Sequence, residues 1–182
     1  RIQHEVGITS VYVTHDQAEA LIMSDKVVVM NQGVIQQIGE PEDIYTRPAN
    51  AFVAEFIGAA NLLEGTLLDR VGELAEVEVP LGGDHPPLQL RASCGDVAPK
   101  GQKIILSLRP EDLSLHLSHP GEAVNLMEGE IIDTIYLGNF LDCQVRVGPY
   151  EVGIQIDHYE KLSPGQKVYV SFSPDHGLCL ME

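Results

Sequence analysis

The sequence predicts an α/β segment over residues 1–63 followed by an all-β module over residues 64–182. Three observations carry this reading. Apolar residues recur at helical spacing only before residue 63. Beyond it they alternate in short runs punctuated by Gly and Pro. Inside the β module a pair of blocks recurs at one constant offset of 64 residues: Glu64-Gly-Thr-Leu-Leu-Asp69 matches Glu128-Gly-Glu-Ile-Ile-Asp133, and Gly101-Gln-Lys-Ile-Ile-Leu-Ser-Leu108 matches Gly165-Gln-Lys-Val-Tyr-Val-Ser-Phe172. Pro110 then falls on Pro174. A pair of matched blocks at one offset predicts two related β units, about 64–120 and 128–182, that bury their apolar faces against each other.

In the N-terminal segment, residues 8–14 are β-branched and aromatic and read as a strand. Asp16 or Thr14 suits the N-cap of the helix that follows. Ala18, Leu21 and Ile22 give that helix one apolar face. Val27–Met30 is a continuous apolar run, as expected of a strand buried on both faces. Asn31-Gln-Gly33 turns the chain into a return arm, Val34–Ile38. Pro41 fits the first position of a second helix, with Glu42 and Asp43 at its positive end. A third helix begins near Ala49, carries Phe52, Val53, Phe56 and Ile57 as one stripe, and stops at Gly58.

In the β module, Leu141, Cys143, Val145 and Val147 alternate, as do Val152, Ile154 and Ile156. They predict a small barrel or sandwich. Leu81–Leu88, with two Gly and two Pro, reads as a loop.

Composition excludes several functions. The net charge is −16, with −5 on residues 1–63 and −11 on residues 64–182. A phosphate-backbone binder needs Lys and Arg to displace counterions, so nucleic acid is not an expected partner. No run of 18 apolar residues occurs, so no membrane span is predicted. The start lacks a basic stretch followed by an apolar block, so no signal peptide is expected; Arg1 in place of Met hints at a truncated or processed start. Cys94, Cys143 and Cys179 lie far apart and odd in number, which reads as free thiols rather than a metal or disulfide framework.

The candidate chemical group is His15, in Thr14-His15-Asp16 between a strand and a helix. Alone, a histidine there also reads as a capping or packing residue. The functional reading needs a phosphate nearby, because an imidazole at a strand end can hold a phosphoryl group or its attacking water. His116, His119 and Glu122 read as solvated side chains rather than metal ligands. Arg109-Pro110-Glu111-Asp112 reads as a strand-exit turn, with Arg109 or Lys103 the cation to offer an oxyanion.

Residues 8–63 resemble the C-terminal end of an ABC transporter ATPase of the branch serving binding-protein-dependent importers for sugars, polyamines, sulfate or iron. Val11-Tyr-Val-Thr-His15-Asp-Gln17, Glu19-Ala20, Ser24-Asp25, Gly39, Pro41, Ile44-Tyr45, Phe52-Val53 and Phe56-Ile57-Gly58 carry the likeness. Residues 64–182 resemble the transport-associated OB (TOBE) domain behind that core, through Leu108-Arg-Pro-Glu-Asp-Leu113, Tyr136-Leu-Gly138 and Pro164-Gly-Gln166. The resemblance implies a remnant of a P-loop ATPase domain followed by an OB-like regulatory barrel. It implies that His15 is the switch histidine at the γ-phosphate, with ATP and magnesium as the parent's cofactors. It further implies membrane permease subunits as partners, a homodimer formed mainly through the β module, and a peripheral place on the cytoplasmic face of the inner membrane. Polyamine and ferric iron are the favoured solute classes.

The departures matter. No G-x-x-x-x-G-K-[ST], no strand ending in Asp-Glu and no Leu-Ser-Gly-Gly-Gln signature occurs. Leu162-Ser-Pro-Gly-Gln166 imitates the signature but falls between β runs and reads as a turn. By itself the chain is therefore expected neither to bind ATP tightly nor to hydrolyse it, and to leave an apolar face for a missing half to cover. The alternative is a free-standing module that binds a small oxyanion or polyamine.

Overall fold

The computed structural model describes residues 7–95, 99–157 and 161–181. The N-terminal segment is a helix-flanked hairpin. Helix α1 (Gln17–Met23) is capped by Asp16, whose side chain accepts from the Glu19 amide at 3.1 Å. Strands β1 (Val27–Asn31) and β2 (Val34–Gly39) pair antiparallel. Gln32 and Gly33 both have positive φ, 47° and 80°, the twist a two-residue hairpin requires. Helix α2 (Pro41–Thr46) starts on its proline as expected, and α3 (Ala51–Phe56) is capped by Asn50. Val27, Val29, Ile44, Val53 and Ile57 form the core of this segment.

Three expectations fail here. Residues 8–14 run as irregular chain, with Val11 92% exposed. A strand is stable only when its backbone groups find a partner, and among the described residues none pairs with this stretch. Val27–Met30 is not buried on both faces: Val28 and Met30 are exposed while Val27 and Val29 are buried, because among the described residues nothing covers the outer side of the hairpin. In α1 Ile22 is 83% exposed, and Ala20 and Leu21 do the packing instead.

The rest of the chain is all-β. Strands β3 (Asn61–Val71), β4 (Leu74–Val79), β5 (Leu88–Cys94) and β6 (Lys103–Leu108) lead into a 3-10 turn (Pro110–Asp112) and β7 (Ser114–His116). Then β8 (Asn125–Tyr136), β9 (Phe140–Val147), β10 (Tyr150–Asp157) and β11 (Lys167–Phe172) lead into another 3-10 turn (Pro174–His176) and β12 (Leu178–Met181). The order β12-β5-β4-β3-β6 closes into a barrel, and β10-β9-β8-β11-β7 forms a five-stranded sheet.

The 64-residue repeat is built in atomic detail. The Leu67 amide donates to Gln102 O at 2.9 Å and the Gly101 amide to Leu67 O at 2.8 Å; the Ile131 amide donates to Gln166 O at 2.9 Å and the Gly165 amide to Ile131 O at 2.8 Å. Gly65 and Gly129 both lie where the backbone of the next strand passes closely. The last strand of each repeat is exchanged: β7 pairs with β11 of the second repeat, and β12 joins β6 and β5 of the first. One hydrophobic core runs through both repeats, from Leu63 to Phe172. Where the repeats meet, Asp112 and His176, equivalent by the 64-residue offset, lie 3.5 Å apart.

Candidate functional site

The α/β segment and the β module are joined at Arg109, directly behind the buried end of β6. An arginine leaving the core there must find acceptors for its donors, because a buried unpaired guanidinium is costly. It is 8% exposed. One Nη1 reaches Ala54 O at 3.0 Å and Ala59 O at 2.9 Å, and Nη2 reaches Tyr45 O at 3.0 Å. Its guanidinium lies 4.2 Å from the centre of the Tyr45 ring, a cation–π contact. The Tyr45 hydroxyl donates to Glu111 Oε1.

Gly58 makes this approach possible. Its φ of +87° favours glycine, and a Cβ there would meet Tyr45 Cε2 at 3.2 Å and Arg109 Nη1 at 3.6 Å. The Gly58 amide donates to Gln17 Oε1 at 3.1 Å, which ties α1 to the same point. The junction thus links α2, α3 and the exit of β6 through one cation, and α1 through the Gly58 amide beside it. The Tyr45 hydroxyl pKa is pushed up to about 12, by burial first and then by the hydrogen bond and negative charge of Glu111, against the opposing Arg109 charge.

Arg109 is therefore turned inward rather than offered to an external oxyanion: it is buried, three of its donors go to carbonyls and its face lies on Tyr45. The strand-exit turn is present as the Pro110–Asp112 3-10 turn. Sequence reasoning missed Arg109 as a joint. The available signal was a lone cation immediately behind the apolar run Ile104–Leu108 in a chain poor in cations.

His15 sits exposed in the turn before α1. Around it, Thr14 Oγ1 accepts from the Asp16 amide at 2.9 Å and donates to Glu19 Oε2 at 3.2 Å, and the Tyr12 hydroxyl donates to the same carboxylate at 3.1 Å. His116 Nε2 lies 2.8 Å from Ser171 Oγ, and His119 packs edge-on against Tyr169. Among the described residues no three His, Cys, Asp or Glu side chains gather as a metal site. Leu162–Gln166 contains a turn, with Gly165 at φ +84°.

A cleft of about 640 Å³ lies between the β4–β5 loop and the outer face of the five-stranded sheet. Its floor includes the rung Arg146–Glu130–Lys167, with Glu128 and Tyr169 one rung on.

Residues 106–180 match the TOBE domain family. The spermidine/putrescine import ATP-binding protein PotA of Oleidesulfovibrio alaskensis is 42% identical over 146 residues, which is 80% of this chain and 38% of that protein. PotA of Rubrobacter xylanophilus is 39% identical over 192 residues, 98% of this chain and 47% of that protein. The chain spans less than half the length of these two relatives. Among solved structures, the cytoplasmic molybdate-binding protein ModG, with molybdate bound, superposes with a TM-score of 0.56 at 16% identity, over 67% of this chain and 96% of ModG. That likeness speaks for the OB-like fold alone.

The family match marks residues 106–180 as a TOBE domain, in agreement with the OB-like barrel fold. The chain is similar to the ATP-binding proteins of ABC importers over less than half of their length, in keeping with their C-terminal, TOBE-bearing portion.

Proposed function

We propose that the chain is the regulatory and dimerisation portion of the ATP-hydrolysing subunit of a polyamine importer, with residues 1–63 the end of its P-loop ATPase domain and residues 64–182 its TOBE module. What supports the reading above all is the 42% identity to a spermidine/putrescine import ATP-binding protein. By itself the chain does not fit an ATP–magnesium complex: it has no phosphate-cradling loop, and His15 stands exposed in its turn. In the whole protein His15 is the contribution of this portion to the hydrolytic site. The Arg109 junction is the physical link by which the β module and that site bias each other. The subunit works as a homodimer on permease subunits at the cytoplasmic membrane face; among the described residues no helix is long and apolar enough to cross a membrane.

The test is ATP hydrolysis and spermidine uptake by the full-length protein with its permease. His15→Ala should lower hydrolysis by about 10²-fold or more while nucleotide binding persists. Unchanged hydrolysis in that variant overturns the role of His15, and a transporter indifferent to spermidine overturns the polyamine assignment.

A second reading, a small-ligand module, rests on the cleft beside Tyr169. Glu130 stands between Arg146 and Lys167 there, with Glu128 one rung on, so charge alone selects neither a polyamine nor an oxyanion such as the molybdate of ModG. Calorimetry of the chain with spermidine and with molybdate decides it; tight binding of either favours this reading.

A further inference from the structure

Cys94 and Cys179 are 85 positions apart in the chain and face each other in the fold. They are direct partners on the parallel rung between β5 and β12. Neighbouring strands lie about 4.8 Å apart, within the Cα separation of about 4.4–6.8 Å that a disulfide spans. Both side chains point into the barrel. Cys94 belongs to its core, and Cys179 packs on that core opposite the buried Leu106. Cys179 is the more exposed of the two.

A second observation comes from Arg70. Its Nη2 reaches the carbonyl oxygens of Cys94, at 3.4 Å, and of Gly95. Its Nε is buried and is the one buried side-chain N or O atom, among the described residues, without a hydrogen-bond partner. A guanidinium therefore lies against the backbone at Cys94, its charge felt by the Cys179 thiol, with some of its donor capacity unused.

We infer that Cys94 and Cys179 are a dithiol oxidation site, converted by a low-molecular-weight disulfide into a bond that staples the exchanged strand β12 to β5. In the first step the Cys179 thiolate attacks one sulfur of the reagent, the reagent's S–S bond breaks and one reagent thiolate leaves. Cys94 then gives up its proton and attacks the Cys179 sulfur, expelling the second reagent thiolate. Two protein thiols are oxidised to one disulfide, and the reagent is reduced to two thiols that take up the two protons.

The environment sets the pace. Burial raises the Cys179 thiol pKa, and the adjacent Cys94 raises it further, while Arg70 opposes both. Oxidation is accordingly slow at neutral pH and accelerates as the solution becomes alkaline. Cys143, fully buried in the region of the core under the five-stranded sheet, serves as an internal reference.

The experiment is exposure of the folded chain to oxidised glutathione at mildly alkaline pH, an acid quench, denaturation, alkylation and peptide mass mapping. Before oxidation three thiols are alkylated. Afterwards one is expected, Cys143, with the intact mass lower by about 2 Da and a Cys94–Cys179 linked peptide. Cys143→Ser should form the same bond, and Cys94→Ser should stop at a glutathione adduct on Cys179. Three alkylatable thiols persisting in the wild type, an adduct on Cys179 that never resolves, or a bond that includes Cys143 or a second chain would each overturn the assignment. The wild-type map decides even where a variant fails to fold.

Discussion

Asn61 and Asn125, 64 positions apart, make the same clamp in opposite directions. Asn61 donates to Gly153 O at 2.9 Å and accepts from the Gly153 amide at 2.7 Å, reaching from the first repeat into the second. Asn125 donates to Arg91 O at 2.8 Å and accepts from the Arg91 amide at 2.6 Å, reaching back. A carboxamide is the one short side chain that satisfies a peptide's donor and acceptor together.

Replacing either asparagine by alanine leaves a backbone N–H and C=O without these partners, buried at Gly153 and part-buried at Arg91. Each change should cost about 2 kcal/mol in urea denaturation. Asn125→Ala should cost the more, since Asn125 is fully buried and also donates to Phe172 O at 3.3 Å. Equal stability of variant and wild type would dismiss the clamp.

Arg109→Met removes the cation from the junction and strands three carbonyls. A loss of about 3 kcal/mol is expected, and it should fall unevenly. Limited proteolysis should now cut near Gly58 while the β module resists. Uniform resistance along the chain would mean that Arg109 does not hold the α/β segment to the β module.

Alanine at the two repeat glycines tests packing. A Cβ at Gly129 would stand 2.5 Å from Val145 Cγ1 and 2.8 Å from Arg146 O, against 2.7 Å from Val77 Cγ1 and 3.2 Å from Glu78 O at Gly65. Overpacking of this kind costs about 1–3 kcal/mol. Gly129→Ala should sit at the upper end and Gly65→Ala below it, as read from their urea midpoints.

Tyr45 gives the alkaline limb of stability a defined sign. Its hydroxyl pKa is held at about 12, above the ordinary 10.0. Between those values the unfolded chain releases the proton and the folded chain keeps it. The contribution is therefore complete below pH 10 and fades as pH rises toward 12. Tyr45→Phe should flatten this fall in a pH series of denaturation midpoints; an unchanged slope would remove Tyr45 as its source.

Much of this fold is legible from local pattern. Pro41 at a helix start, the Asn31-Gln-Gly33 hairpin and the alternation in β9 and β10 are each decided by a few neighbouring residues. The offset of 64 announces the pairing of repeats. What fails depends on distant partners. The β-branched residues 8–14 have the composition of a strand and, among the described residues, no neighbour to pair with. Val28 and Met30 are as apolar as Val27 and Val29, and only what packs on each side among the described residues distinguishes them. Arg109 reads as a turn residue because its partners lie 50 to 64 positions upstream. The meeting of Cys94 with Cys179 follows from the exchange of β12, which no local periodicity encodes.

That exchange also sets a timetable for biosynthesis. The first barrel lacks a stave until Leu178–Met181 arrives, more than 60 residues after β6 has been made. At about 5–20 residues per second, the ribosome leaves the seam between β5 and β6 open for several seconds. Through that interval the nascent chain exposes two strand edges, a period in which a chaperone or a neighbouring nascent copy competes with its own tail for the gap.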